Sequence, residues 1–144
     1  MRHPARTSGS SYKWEFLGGP PLVAEVATAE ATTSTSYAAL ATAGPSCTAP
    51  IAGDYDVEVT SRNYCAGTSS AGYHSLDIGV TGAVDGDAAL AQAGAAGATS
   101  VVLQRTRRKT GVAAGAAIVS KYKSQGPSVQ FDNRRLAIRP VRVG

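Results

Sequence analysis

Alternation of apolar and polar residues with a period of two is the feature that most constrains the fold of this 144-residue chain. In GDYDVEVTS (53–61), Tyr55, Val57 and Val59 alternate with acidic residues and threonine. YHSLDIGV (73–80) repeats the pattern. A period of two puts the apolar side chains on one face of a β-strand. Both segments are therefore predicted to be strands with one buried face.

Six further segments have the composition of short strands, and turn signals separate them. They are LVAEVAT (22–28), TTSTSYAALAT (32–42), TSVVLQRTRRKT (99–110), GAAIVSKYKS (115–124), PSVQFDN (127–133) and RRLAIRPVRV (134–143). The turn signals lie at 44–45, 50–53, 111–115, 126–127 and 132–133. This spacing predicts an all-β fold, an antiparallel β-sandwich of about eight strands that is jelly-roll-like.

One segment, DGDAALAQAGAAGA (85–98), breaks the strand pattern. Asp85 or Asp87 could cap a helical turn, and alanine, leucine and glutamine favour helix. Three glycines oppose a long helix. We expect a short helix or a decorated loop here.

The chain is predicted to be one sandwich domain (21–144) behind a short N-terminal arm (1–20), because its first residues are small and polar. Trp14 and Phe16 lie in this arm, and they either pack back onto the domain or insert into a partner. No stretch is long and apolar enough for a membrane span, and no secretory signal is visible. We therefore expect a protein made in the cytoplasm that does not contact membranes.

The sequence contains none of the common catalytic or cofactor-binding motifs, so we expect no enzymatic activity, no cofactor and no metal. His74 is expected at a strand end rather than as a general base. The Asp85-Gly-Asp87 segment lacks the further oxygen ligands of a calcium loop. Cys47 and Cys65 are expected to be two reduced thiols, with a disulfide as the alternative.

Charge is divided unevenly along the chain. Residues 1–99 carry four basic and nine acidic residues, a net charge of −5. Residues 100–144 carry ten basic residues and one acidic residue, a net charge of +9, which gives +4 for the whole chain. This asymmetry indicates either a basic ligand-binding half or self-association through surfaces of opposite charge.

The basic residues are densest in VVLQRTRRKTG (101–111). Strand alternation places Arg105 and Arg107 on the side of the apolar Val101 and Leu103, and Arg108 on the other side. Arg134, Arg135 and Arg139 of the last strand are predicted to extend this surface. They would face the acids Asp54, Asp56 and Glu58 of a neighbouring strand or of a neighbouring copy. A solvated strand end, an assembly contact and a nucleic-acid site are the three alternatives, and nucleic acid is the least favoured.

Two stretches resemble known proteins. The first is GGPPLVAEVATAEATTSTSYAALATAGPSCTAPIAGDYDVEV, and the second comprises RTRRKTG, AGAAIVSKYKS and FDNRRLAIRPVRV. They are similar to the opening and closing parts of small all-β domains in structural proteins of tailed bacteriophages. The layout also resembles the jelly rolls of the tumour-necrosis-factor-like superfamily. The resemblance covers residues 14–144.

The resemblance implies a non-enzymatic virion structural protein on the particle surface that forms a homotrimer. Its partners would be other virion proteins, such as the major capsid or tail proteins. A capsid decoration or head-surface role is slightly favoured. The alternative is a tail accessory or receptor-binding module that contacts the host surface, where a glycan would be the ligand. The residues expected at partner contacts are Trp14, Phe16, Arg105, Arg107, Arg108, Arg134 and Arg135.

Overall fold

The computed structural model describes residues 14–15, 19–79, 81–93 and 98–144, and it describes residues 14 and 15 by their backbone alone. Within these ranges the chain forms ten strands and one 3₁₀ turn, Asp85–Asp87. The strands are β1 (Trp14–Glu15), β2 (Leu22–Val26), β3 (Glu30–Thr32), β4 (Ser46–Thr48), β5 (Gly53–Cys65), β6 (Ala71–Ile78), β7 (Ala89–Gln92), β8 (Thr99–Val112), β9 (Ala117–Gln125) and β10 (Val129–Val143). No helix in this part of the chain is long and apolar enough to span a membrane.

The strands form two antiparallel sheets that pack face to face. In sheet A, β10 pairs on one side with β1, β2 and β3 in succession, and on the other side with β5, which pairs with β8. In sheet B the order is β4, β9, β6, β7. The pairs β3–β10, β4–β9, β5–β8 and β6–β7 are nested along the chain like the two arms of one long hairpin wound into two layers. This is the jelly-roll arrangement, and it confirms the predicted fold class.

The apolar face of β5 lies between the sheets, as its alternation predicts. Tyr55, Val57 and Val59 are each 0% exposed, and they belong to one core cluster with Leu76 of β6 and Ile118 of β9. Full burial of an aliphatic side chain contributes about 1.5–3 kcal/mol. This face of β5 therefore contributes several kcal/mol to holding the two sheets together.

β10 is one strand, so the predicted turn at residues 132–133 is wrong. Asn133 and Arg134 both lie opposite Ser61 of β5, which is a β-bulge, and Asn133 has a positive φ of 45°. The bulge absorbs the turn-favouring residue without ending the strand. It also shifts the alternation by one residue, so that Leu136 and Ile138 face the core and both are 0% exposed.

The strand predicted over 32–42 is also wrong. β3 ends at Thr32, the first residue of the predicted strand. Over the rest of the predicted range, the structure has only a single bridge, between Ala38 and Tyr122. The hydroxyl of Thr32 accepts a hydrogen bond from the backbone N–H of Ser34 at 3.0 Å. Such local bonds compete with the strand ladder, which explains why a threonine- and serine-rich segment forms bends instead.

The alanine-rich segment 85–98, predicted as a short helix or a decorated loop, begins with the 3₁₀ turn Asp85–Asp87 and then continues into strand β7. In β7, Ala89 and Ala91 are buried and Leu90 is 46% exposed. This is a period of two, and the small buried side chains let β7 lie close to the opposite sheet. Residues 94–97 lie outside the described residues.

Candidate interaction surface

β8 is an edge strand of sheet A whose side chains alternate between the core side and the outer face. Its register places Arg105 opposite Val59 and Arg107 opposite Val57, so both arginines point to the core side of the sheet. Leu103 lies on this side too and packs against the core, whereas Arg105 and Arg107 are exposed. Arg105 and Arg107 keep their predicted side of the strand. The prediction that the core ends there is wrong, because Val57 and Val59 opposite them are 0% exposed and Val112 further along β8 is buried.

The core-side cations contact the 3₁₀ turn. Arg107 Nε lies 3.6 Å from Asp87 Oδ1, and Lys109 also pairs with Asp87. Arg105 donates to the backbone oxygen of Gly86 at 3.3 Å. The carboxylate of Asp87 is thus shared between Arg107 and Lys109, whereas the third cation, Arg105, pairs with no acid in the described part of the chain. Positive charge is in excess on this side of β8.

On the outer face of sheet A, the predicted acid–arginine contacts form within the chain. Arg108 Nε lies 2.5 Å from Asp56 Oδ1, and this hydrogen bond raises the pKa of the Arg108 guanidinium. Arg135 Nη1 lies 2.5 Å from Glu58 Oε1. Of the two predicted locations for the acids, a neighbouring strand or a neighbouring copy, the chain uses the neighbouring strand. The charges of this face are therefore largely compensated before any partner binds.

The predicted surface position of Arg134 is wrong, because the β10 bulge turns this side chain inward. Arg134 is 0% exposed, its Nη2 lies 3.1 Å from Glu30 Oε2, and its Nη1 donates to the Thr42 carbonyl at 3.2 Å. Its guanidinium carbon lies 5.4 Å from the ring centroid of Tyr122. Arg134 therefore connects residues 30–42 to the core.

The backbone of β1 pairs with the end of β10, with Trp14 opposite Val143. This part of the predicted arm thus lies along the edge of sheet A. The Trp14 side chain and all of Phe16 lie outside the described residues. Their role as anchors stays a prediction.

Two loops meet over Lys123 of β9 on the outer face of sheet B. Its Nζ lies 4.9 Å from the Tyr37 ring centroid, 4.4 Å from the Tyr73 ring centroid and 2.6 Å from Asp85 Oδ1. Hydrogen bonds from Lys123 and then from Tyr37 lower the pKa of Asp85. This cluster joins the segment that precedes β4 to the 3₁₀ turn between β6 and β7.

His74 lies in the core, not at a strand end as predicted. It is 0% exposed, its Nδ1 lies 3.0 Å from Ser61 Oγ and its Nε2 lies 2.9 Å from Ser120 Oγ. Its ring stacks on Tyr122 with centroids 4.7 Å apart. Burial, with a smaller contribution from Arg134, lowers the pKa of His74 to about 3, so the imidazole is neutral at pH 7. A hydroxyl beside an imidazole has the composition of a nucleophile pair, but both groups are completely buried, which favours a structural role.

Extending the period-two alternation of β5 beyond Val59 would have located this buried polar cluster. Ser61 and Asn63 continue the inward phase of Val57 and Val59 on β5, and both are 0% exposed. Ser61 donates to Asn63 Oδ1 at 2.6 Å. The alternation of β5 therefore predicts that Ser61 and Asn63 point inward, but polar residues are not expected in a core and were not recognised as part of it.

Cys47 and Cys65 are both free and buried, as expected for two reduced thiols. Burial raises the pKa of each thiol. Across the described ranges, no group of three or more histidine, cysteine, aspartate or glutamate side chains is arranged to hold a metal ion.

Two grooves lie beside the charged strands. One, of about 250 Å³, is on the outer face of sheet A and is lined in part by Asp56, Glu58 and Arg139. The other, of about 420 Å³, lies at the end of the sandwich, with Asp87 and Lys109 among its lining residues. Charged groups of both signs line each groove, which suits a polar partner.

No family model matches the chain, and no curated protein matches it. Fold and surface define the class of protein: a jelly-roll β-sandwich with a long edge strand that is basic on one side.

Proposed function

We propose that this chain is a non-enzymatic structural protein on the surface of a tailed-bacteriophage virion, with capsid decoration favoured over a tail accessory role. The observation that carries the proposal is the jelly-roll strand order, because it is formed by the residues that carry the resemblance to phage structural domains. The opening stretch supplies β2 to β4 and the first half of β5, and the closing stretch supplies the second half of β8 and most of β9 and β10. Its place of action would be the virion, and its partners would be the major capsid or tail proteins.

The distribution of polar groups supports a binding role rather than a catalytic one. The histidine with hydroxyl partners is sealed in the core, and burial keeps its imidazole neutral. The charged groups are instead spread over one open sheet face and one strand edge. A broad polar surface of this kind matches the rim of a protein–protein interface.

We further propose that the protein is a trimer. Among the residues that the structure describes, seven alanines and five serines are buried with the larger core side chains, and because such small residues add little apolar volume, burying more surface between copies would add stability. Sedimentation equilibrium should give about 44 kDa, three times the 14.6 kDa of the chain. A mass of 14.6 kDa at all concentrations would contradict the trimer.

The experiment that tests the virion role is binding of the purified protein to particles that lack it. Co-sedimentation with the particles, saturating at a fixed number of copies, is the expected result. Intact host cells incubated with the same protein are the control. If the protein does not co-sediment with the particles, it is not a decoration protein.

The second candidate function is contact with the host surface, and the excess positive charge beside Asp87 favours it. Cations with few acidic partners attract anionic polymers, and such binding weakens steeply as salt rises. Labelling of cells that disappears between low and moderate salt, without particle binding, would select this function.

A further inference from the structure

The free edge of β8 differs from the other edges of the sandwich. Sheet B ends in β4 and β7, which have three and four residues. The far edge of sheet A is divided into β1, β2 and β3, none longer than five residues. Short and interrupted edges are how sheets avoid pairing with other chains. β8 has fourteen residues, and within the described ranges no strand pairs with its free side.

β8 is also regular over most of its length. Its register against β5 runs without a shift from Thr99 to Lys109, and the only irregularity lies beyond Lys109. Gly111, with φ of 68°, lies in that irregular part. The regular part can therefore align a ladder of backbone hydrogen bonds with an added strand.

The side chains along this edge specify the chemistry of an added strand. On the core side an added strand would lie beside Arg105, Arg107 and Lys109, and on the outer side beside Val102, Gln104 and Thr106. Val102 is 69% exposed. Directly opposed side chains in neighbouring strands lie about 4.5–5.5 Å apart, so acidic residues would suit one side and β-branched residues the other.

A second copy of this chain does not fit the edge. Two β8 strands paired antiparallel would bring arginines together, which is destabilising. The acid of β2 is Glu25, which lies on the outer side because the neighbouring Ala24 packs against the core. It would face the wrong side of β8.

We propose that the free edge of β8 binds an extended segment of a different protein, in which acidic residues alternate with β-branched residues, by adding a strand to sheet A. The proposal rests on the proposed function in one respect: it names the contact through which the domain would attach to its particle.

The probe is a capped ten-residue peptide in which glutamate alternates with threonine or valine. Its scrambled form, with the glutamates contiguous, is the control peptide. We expect the alternating peptide to bind and to slow the hydrogen exchange of alternate β8 amides, those that point to the free edge. Failure to bind, or equal binding of the scrambled peptide, overturns the proposal.

Two matched variants test the role of charge. Arg105→Gln/Arg107→Gln removes two cations at the edge, and Lys121→Gln/Arg142→Gln removes two cations elsewhere. We expect the first to weaken peptide binding about tenfold or more and the second to weaken it less than about twofold. Thermal unfolding of both variants checks that each is folded. Equal loss in both would mean that net charge, not the edge, holds the peptide.

Particle binding separates the two proposals. If the peptide binds β8 but the protein leaves particles bare, the edge site stands and the virion function falls. If the protein binds particles and Arg105→Gln/Arg107→Gln binds them equally well, the virion function stands and the edge contact falls.

Discussion

At the residue scale, the core of this sandwich contains an unusual number of polar groups. His74, Ser61, Ser120 and Arg134 are all 0% exposed. Their hydrogen bonds and ring contacts connect β5, β6, β9 and β10, so they bridge both sheets. Groups of this kind are costly unless they are bonded, and a bonded network favours one arrangement of the sheets over others.

His74 makes stability depend on pH. Its folded-state pKa of about 3 lies below its ordinary value of 6.5, so the unfolded chain binds more protons between these values. Stability contributed by the neutral imidazole is complete above pH 6.5 and is lost as pH falls toward 3, by up to about 1.4 kcal/mol per pH unit. Urea unfolding at pH 7 and pH 4.5 measures this loss.

His74→Gln supplies the control for that measurement. The variant should be less stable at pH 7 by about 1–3 kcal/mol because it loses hydrogen bonds in the core. Since glutamine does not titrate, the difference from the native protein should shrink by about 2–3 kcal/mol at pH 4.5. A difference that is the same at both pH values would show that His74 does not titrate as its burial implies.

Glu30 is a second group through which low pH should lower the stability of the fold. Its contacts could not be predicted from the sequence. Hydrogen bonds from Thr42, and then the charge of Arg134, lower the pKa of Glu30. A carboxylate with a depressed pKa contributes stability that is lost as pH falls through its folded-state pKa. The pairing of residues 30, 42 and 134 depends on the fold of a long bent segment, and no local pattern encodes it.

At the element scale, the β10 bulge decides which residues form the core. Two residues oppose Ser61, and the shift turns Leu136 and Ile138 inward. The sequence predicts that something irregular happens at 132–133, since Asp-Asn favours turns. It does not say that the strand continues, because that depends on β5 and β2 being present on both sides.

Substitutions at Asn133 test the bulge. Its positive φ of 45° is unfavourable for a β-branched residue, so Asn133→Val should lower the free energy of unfolding by about 1–2 kcal/mol. Asn133→Gly should stay within about 1 kcal/mol of the native protein. Deletion of residue 133 would remove the extra residue of the bulge and keep Leu136 opposite Val59, so this variant should still fold. Urea unfolding measures these differences, and equal losses for the valine and glycine variants would contradict the bulge.

Gly72 tests the distance between the sheets. A Cβ at this position of β6 would lie 2.5 Å from Val129 Cγ1 and 3.2 Å from Phe131 Cζ of β10. Gly72→Ala should therefore destabilise the protein by about 1–3 kcal/mol in urea unfolding. Gly86→Ala is the control, because the nearest atom there, 3.7 Å away, is the end of the flexible Arg107 side chain. Equal effects of the two alanines would mean that the sheets do not pack as described.

At the scale of the whole molecule, the uneven division of charge along the chain is largely resolved by the fold. Acids of β5 pair with arginines of β8 and β10, as Asp56 does with Arg108 and Glu58 with Arg135. Composition alone predicts two oppositely charged halves. Strand register brings these halves side by side, and on the core side of β8 Arg107 and Lys109 share the carboxylate of Asp87.

The fold class followed from the period-two alternation and the turn signals, which are local. The arrangement of charges on the surface could not be predicted in the same way, because the side of the sheet to which an arginine side chain points depends on strand register and on bulges. Arg105 and Arg107 keep their predicted side because β8 is regular there. Arg134 does not, because the bulge precedes it.

The most direct test of the virion proposal is a density map of purified particles that contain this chain. We expect jelly-roll density on the outer surface, in groups of three, with the edge of β8 against the underlying shell or tail protein. A map of these particles without such density on the outer surface would contradict the proposed function.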